Sequence, residues 1–175
     1  MRPRLVGRGW QRRLIADIDA APWSSQLRRR VQHYGHRYDY ATRAVGGVPA
    51  PPLPPWAVTL ARHLHEDGHF VRPPDQVIVN EYQPGQGISA HVDRVSCFGP
   101  VIASISLLSA CVMELIHPED KTRVPVRLNP GSLCVMSGPA RSTWRHAIPA
   151  RKTDPGPNGR IPRGRRVSLT FRTVL

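Results

Sequence analysis

The chain has 175 residues, 40% of them apolar, and carries 25 Lys and Arg against 12 Asp and Glu, a formal net charge of +13. That length suits one domain burying roughly 70% of its unfolded surface, with nothing left for a second core, and the composition argues against a membrane-embedded or disordered chain. A positive excess, nearly all of it Arg, favours a polyanionic partner such as nucleic acid.

Met1 to Trp10 carries Arg but no apolar segment, so no signal peptide is expected there. No stretch approaches transmembrane length. A reducing cytoplasm is the expected compartment, with no membrane partner and a monomeric chain. The first third reads as helical and irregular. Pro22-Trp23-Ser24-Ser25 can open a short helix through Leu27 and Val31, with Arg28, Arg29 and Arg30 exposed and Gly35 ending it. Trp10 and Trp23 are expected to pack among these N-terminal helices. Val45 to Pro55, rich in Gly and Pro, predicts an extended surface linker. A second helix fits Trp56 to Glu66, with Trp56, Leu60, His63 and Leu64 at core spacing and Gly68 after it.

From Gln76 the pattern changes to short runs rich in β-branched residues. These are Val77 to Val79, Val101 to Leu108, Cys111 to Ile116, Val124 to Leu128, Leu133 to Met136 and Val167 to Leu175. Asn129-Pro130-Gly131 and Ser137-Gly138-Pro139 punctuate them. Such spacing predicts two packed sheets, a jelly roll or related barrel. The expected division is 1–75 for N-terminal helices and a substrate lid, and 76–175 for the β core, within one domain spanning 1–175. Lys152 to Gly164 reads as a long mobile loop bordering the substrate opening. Cys97, Cys111 and Cys134 form no CxxC pair, and the latter two lie in apolar runs as buried thiols.

The chemistry concentrates after Tyr82-Gln83-Pro84-Gly85-Gln86-Gly87-Ile88. His91 and Asp93 lie two apart, so on one strand they point to one side. His146 is far enough along to return on another strand. Two imidazoles and one carboxylate are the set that holds non-haem Fe(II) on one face and leaves positions open. In the last strand Arg166, Ser168, Thr170 and Arg172 share one face, and Val167, Leu169 and Phe171 the other. Two forked cations on that face suit a dicarboxylate gripped at both ends; a solvated basic edge strand is the plain alternative.

Asn80-Glu81-Tyr82-x-Pro84-Gly85-x-Gly87-Ile88-x-x-His91-x-Asp93, Ser104-Ile105-Ser106-Leu107, Gly138-x-x-Arg141-x-x-x-x-His146 and Arg166-x-Ser168-x-Thr170-x-Arg172 together resemble the AlkB family. The likeness extends to Tyr34-Gly35 and Tyr38-x-Tyr40. It implies a mainly β protein with N-terminal helices, built on a double-stranded β-helix (jelly roll), acting as an Fe(II)- and 2-oxoglutarate-dependent dioxygenase that consumes O2. It further implies that His91, Asp93 and His146 bind iron and that Asn80, Tyr82, Arg166, Ser168 and Arg172 surround 2-oxoglutarate. Arg166 would take the distal carboxylate, and Arg172 would sit near the metal end. The chemistry would be iron-centred, with no separate side-chain acid or base.

Alkylated or modified bases in nucleic acid are the substrates this resemblance implies, taken single-stranded or flipped from a duplex. Tyr38, Tyr40, Val95, Arg141 and Trp144 are the expected substrate contacts, with Tyr34, Arg28, Arg29, Arg30, Arg37 and Arg43 extending the surface. Base-repair members commonly carry an acidic residue two positions after the metal-binding Asp; here Val95 stands there and accepts no hydrogen bond. The wording around Val31 to Gly35, Gly87 to Asp93 and Arg141-x-x-Trp144-x-His146 is closer to the branch that hydroxylates a wobble uridine in tRNA. Oxidation of a protein or small molecule, a non-catalytic nucleic-acid-binding barrel, and a cupin-type metal jelly roll are the competing readings.

Overall fold

The computed structural model describes residues 6–42, 44–46 and 49–175. Along the chain come α1 (Arg8–Ala20), β1 (Val31–Tyr34), β2 (Tyr38–Asp39), β3 (Ala44–Val45), α2 (Pro55–Glu66), β4 (Gln76–Tyr82), β5 (Ile88–His91), β6 (Phe98–Leu108) and β7 (Cys111–Ile116). After them follow β8 (Arg123–Leu128), β9 (Leu133–Ser137), α3 (Pro139–Ser142), β10 (Arg145–Ile148), β11 (Thr153–Gly156), β12 (Gly159–Pro162) and β13 (Arg166–Val174). A five-stranded sheet, β1-β4-β13-β6-β9, faces a four-stranded one, β5-β10-β7-β8. All their pairings are antiparallel. The jelly roll expected from strand spacing is the observed architecture.

Side-chain alternation builds two cores. Val77 and Val79 of β4, Ala103, Ile105 and Leu107 of β6, and Val167, Leu169 and Phe171 of β13 turn outward against α1 and α2. There they meet Leu14, Ile18, Leu60 and Leu64, each fully buried and each contributing about 1.5–3 kcal/mol. The opposite faces of the same strands turn inward between the sheets, where Ile102, Met113, Leu128 and Met136 form a smaller cluster. Thus β13, central in the larger sheet, carries the outer core on one face and the inner cavity on the other. Cys111 and Cys134 are buried as expected.

Three local expectations are corrected. No helix follows Pro22. Ser24 and Val31 instead exchange backbone hydrogen bonds of 2.8 and 3.0 Å, and Val31 to Tyr34 pair with β4. The exposed flank of β4 needed a strand partner, and this long-range pairing outweighs local helix propensity. The first helix lies earlier, at α1, where Trp10, Leu14 and Ile18 repeat every four residues amid charged neighbours; that spacing was legible. Tyr34 turns into the outer core, edge-on to Trp56 with ring centres 6.0 Å apart, and so leaves the nucleic-acid surface. Arg43 lies outside the described residues.

The stretch from Lys152 to Gly164 is not a loose loop either; it folds into the β11–β12 hairpin and stays out of the cavity wall. Asp154 anchors it. This carboxylate is 2% exposed, accepts from Arg163 Nε and Nη2 at 2.6 Å each, from Arg151 Nε at 2.9 Å and from Val112 N at 3.1 Å. Asp154→Ala should strand the Arg163 guanidinium, which is itself buried, and cost about 3–5 kcal/mol in urea unfolding; a loss below about 1 kcal/mol would show that the hairpin is held otherwise.

Candidate metal and cosubstrate centre

The smaller sheet assembles the three expected metal ligands. His91 ends β5 and His146 lies on β10, and the strands pair so that the two stand directly opposite. Their ring centres are 4.2 Å apart. Asp93 follows just past the strand end, and ligand atoms of all three lie within 4.8 Å of one another. Gly87 lets β5 and β10 approach, because a Cβ there would stand 2.1 Å from the Ile148 carbonyl oxygen. Gly87→Ala should spread the strands that oppose His91 and His146. Isothermal titration should then record weaker divalent-metal binding by about 10-fold or more, the scale of supporting-residue losses. Unchanged affinity would mean the pair does not depend on that contact.

Proton placement shows that the set fits a cation. His91 Nδ1 lies 2.8 Å from the Ser89 carbonyl, which only accepts, so Nδ1 carries the hydrogen. In the neutral ring Nε2 then presents a lone pair 3.3 Å from Asp93 Oδ1, two acceptors face to face. A cation between them resolves that arrangement. Burial, and then the neighbouring His91, push His146 down to about 4, so its imidazole is neutral and able to ligate. Asp93 is buried, which alone would raise its pKa. Arg172 overcomes this, with His91 and His146 adding to it, and the carboxyl is held well below the usual range.

The second oxygen of Asp93 is already committed. Oδ2 accepts from Arg172 Nε at 2.8 Å and is ion-paired with Nη2 at the same distance, leaving Oδ1 for a metal. Arg172 also donates to Gln76 Oε1 at 3.3 Å and lies over the Phe98 ring. The expectation of two free forks on β13 is therefore corrected, because Arg172 is spent on the metal ligand. Arg166 differs. It is 3% exposed and, among the described residues, donates only through Nη2, to Ser106 Oγ at 2.8 Å, with Nε and Nη1 buried and meeting no partner there. Such a group is costly unless an anion meets it. It stands opposite Tyr82 in register, 5.4 Å from that ring's centre, as Ser168 stands opposite Asn80. Ser168 Oγ lies 3.0 Å from Ser104 Oγ. One free fork at one end and a metal set at the other is the chemistry a short 2-oxo diacid requires.

These groups line a cavity of about 860 Å³ between the sheets. Asn80, Tyr82, His91, Asp93, His146, Arg166, Ser168 and Arg172 all face it, as do the substrate candidates Tyr38, Tyr40 and Val95. Two other substrate candidates do not. Arg141 is 4% exposed and donates to the carbonyls of Asp93 at 2.7 Å, Phe98 at 3.1 Å and Gly99 at 3.2 Å. It clasps the turn that carries Asp93 rather than facing the opening. Trp144 turns away and packs edge-on against His117, ring centres 5.0 Å apart.

Arg29, expected on the nucleic-acid surface, reaches the cavity, and other contributors were missed. Arg29 Nε donates to Asn80 Oδ1 at 2.9 Å, and Arg94 and Arg145 line the same cavity. His33 props the aromatic wall, accepting from Tyr38 N at 3.3 Å and meeting the Tyr40 hydroxyl at 3.4 Å; burial, and then Arg37, push it down to about 4. Only the proximity of Arg94 and Arg145 to the metal ligands was a visible signal. Arg30 is engaged elsewhere, bidentate to Glu81 at 2.6 and 2.9 Å.

Comparison with known proteins agrees with this geometry. The model of the 2OG-Fe(II) oxygenase superfamily matches residues 15–172. The chain is 38% identical over 164 residues to the mouse (Mus musculus) tRNA (carboxymethyluridine(34)-5-O)-methyltransferase ALKBH8, covering 83% of this chain but 24% of that protein. To the mouse mitochondrial alpha-ketoglutarate-dependent dioxygenase alkB homolog 7 it is 32% identical over 155 residues, covering 85% of this chain and 68% of that one. The solved structure of OsALKBH1 superposes with a TM-score of 0.76 at 18% identity, covering 98% and 94% of the two chains. The chain thus spans about a quarter of the methyltransferase relative it matches.

Proposed function

This chain belongs to the 2OG-Fe(II) oxygenase superfamily, and from that premise we propose that it hydroxylates or dealkylates modified bases in DNA or RNA, in repair or in tRNA modification. As a dioxygenase of this superfamily with AlkB homologues, it uses Fe(II), 2-oxoglutarate and O2. His91, Asp93 and His146 would hold the iron. Asn80, Tyr82, Arg166 and Ser168 would surround the cosubstrate. Iron held there supplies oxygen activation, coupled to conversion of 2-oxoglutarate into succinate and carbon dioxide.

The side chains prepare that chemistry. The Ser89 carbonyl sets the His91 tautomer, Arg172 leaves Asp93 a single ligand oxygen, and Arg141 fixes the turn that carries Asp93. Ile102, Met113, Leu128 and Met136 keep the inner end apolar and exclude water.

The observation that carries a nucleic-acid substrate is the make-up of the cavity wall. Tyr38 and Tyr40 stand edge to face, ring centres 5.3 Å apart, beside Arg29, Arg94 and Arg145. Stacking an unpaired base on such rings contributes about 1–3 kcal/mol whatever its identity, and the arginines meet phosphate. The name of the ALKBH8 relative, for tRNA methyltransfer, supports this reading; that relative is a much longer protein, so its substrate enters only as part of the proposal.

Total tRNA and single-stranded methylated oligonucleotides, each incubated with the protein, Fe(II) and 2-oxoglutarate, would be compared by nucleoside mass spectrometry. The expected result is loss or hydroxylation of one modified nucleoside with equimolar succinate. Succinate formation indifferent to nucleic acid, with every nucleoside unchanged, would overturn the substrate assignment.

A further inference from the structure

The charge of the cavity is not balanced by its expected contents. Among the described residues its wall carries five arginines, Arg29, Arg94, Arg145, Arg166 and Arg172, and one carboxylate, Asp93. Iron(II) and the 2-oxoglutarate dianion cancel each other, so the excess of guanidinium survives loading. Arg172 is paired with Asp93, and Arg166 has its free fork for the cosubstrate.

The other three pair with no carboxylate among the described residues. Arg29 donates to the neutral Asn80, and Arg94 to Ser96 Oγ at 3.3 Å. The Arg145 side chain is exposed and meets no hydrogen-bond or ion-pair partner among the described residues. Nearby acids are occupied elsewhere. Asp39, on the hairpin of the aromatic wall, accepts from Ala41 N and Thr42 N, and Glu114 is paired with Arg123 at 2.6 Å. Arg29 is also held in place, because Gln86 Nε2 donates to the Arg28 carbonyl at 2.8 Å and Glu81 N to the Arg30 carbonyl at 3.0 Å.

Val95 completes the picture. It is 56% exposed and lines the cavity, where it offers nothing to offset a positive ring. We infer that the cavity discriminates bases by charge, accepting a neutral or anionic modified base and rejecting a cationic one, with Arg94 and Arg145 receiving an anionic oxygen group of the substrate. The inference rests on the nucleic-acid reading above. Methylation at cytosine N3 or adenine N1 leaves the ring cationic near neutral pH, whereas N3-methyluracil has nearly the same shape and no charge. Inside a cleft of reduced dielectric, repulsion between like charges is several times larger than in bulk water.

The anionic oxygen could come from the phosphodiester or from a carboxylate on the base, and the test separates them. Fluorescence anisotropy would measure the whole chain, loaded with Mn(II) and 2-oxoglutarate, against single-stranded RNA hexamers at low salt. One pair carries a central N3-methyluracil or N3-methylcytosine; a second carries C5-carboxymethyluracil or its neutral amide. N3-methyluracil should bind at least about tenfold more tightly than N3-methylcytosine, and Val95→Glu should erase or reverse that preference. Arg145→Glu should weaken the neutral hexamers. A carboxymethyl preference over the amide, lost in Arg145→Glu, assigns the anion to the base; equal binding of that pair assigns it to phosphate. Equal or tighter binding of N3-methylcytosine by the unaltered protein overturns the inference alone. Binding of no hexamer overturns it together with the nucleic-acid reading.

Discussion

Asp93→Ala should abolish 2-oxoglutarate-dependent succinate formation and lower iron affinity by more than the roughly 10–100-fold typical of residues that merely support a ligand. Two roles converge on this carboxylate: one oxygen faces His91 across the expected metal position and the other holds Arg172. Removing it leaves a buried guanidinium without its counter-charge, a further cost of about 3–5 kcal/mol in folding. Asp93→Asn separates the two effects. It keeps an acceptor for Arg172 and so should unfold closer to the parent in urea, while losing iron and turnover nearly as fully. Anaerobic metal titration and succinate detection read the first role, and urea curves read the second. Turnover preserved in both variants would sink the metal assignment. A pH dependence follows from the depressed carboxyl. The ion pair contributes fully above the ordinary value of 3.8 and is lost as pH falls through the lower folded value. Acid unfolding of the Asn variant should therefore lack that part of the decline.

Arg166→Met should remove the thermal stabilisation conferred by 2-oxoglutarate while raising the melting temperature of the ligand-free protein. Among the described residues nothing meets the buried Nε and Nη1 of Arg166, so the guanidinium is a cost until a carboxylate arrives. For the parent, cosubstrate at 100 times its Kd contributes about 2.7 kcal/mol, which for a chain of this size is a shift of about 5–10 °C. The methionine variant should show almost none of it. Arg166→Lys keeps the charge but not the fork. Loss of one charge-assisted hydrogen bond, about 1.5–3 kcal/mol, should raise the half-saturating 2-oxoglutarate concentration about 10–100-fold. A half-saturation value that stays put in both variants would place the distal carboxylate elsewhere.

Particular residues mark where sequence reading succeeds. The inner face Arg166, Ser168, Thr170, Arg172 and the outer face Val167, Leu169, Phe171 of β13 were readable because strand alternation is a local, period-two property. The second helix was readable because its apolar spacing and flanking Gly68 are local too. Reading failed where a distant partner decides. Val31 to Tyr34 become a strand only because β4 lies open to receive them. Lys152 to Gly164, rich in Gly and Pro, folds as a hairpin that Asp154 ties to Val112 and Arg163. Arg141 and Trp144 lie close to His146 in sequence, yet one clasps the turn after β5 and the other packs outside on His117.

The sequence alone determined the candidate ligand types, their order along the chain and the face each strand presents, since these follow from residue chemistry and backbone period. Only the tertiary structure decided what each arginine is for. A guanidinium reads the same in sequence whether it is paired with Asp93, as Arg172 is, wrapped on carbonyls, as Arg141 is, or buried with two nitrogens unmet among the described residues, as Arg166 is. Its role is set by the acceptors that folding brings within about 3 Å, and those come from residues tens of positions away.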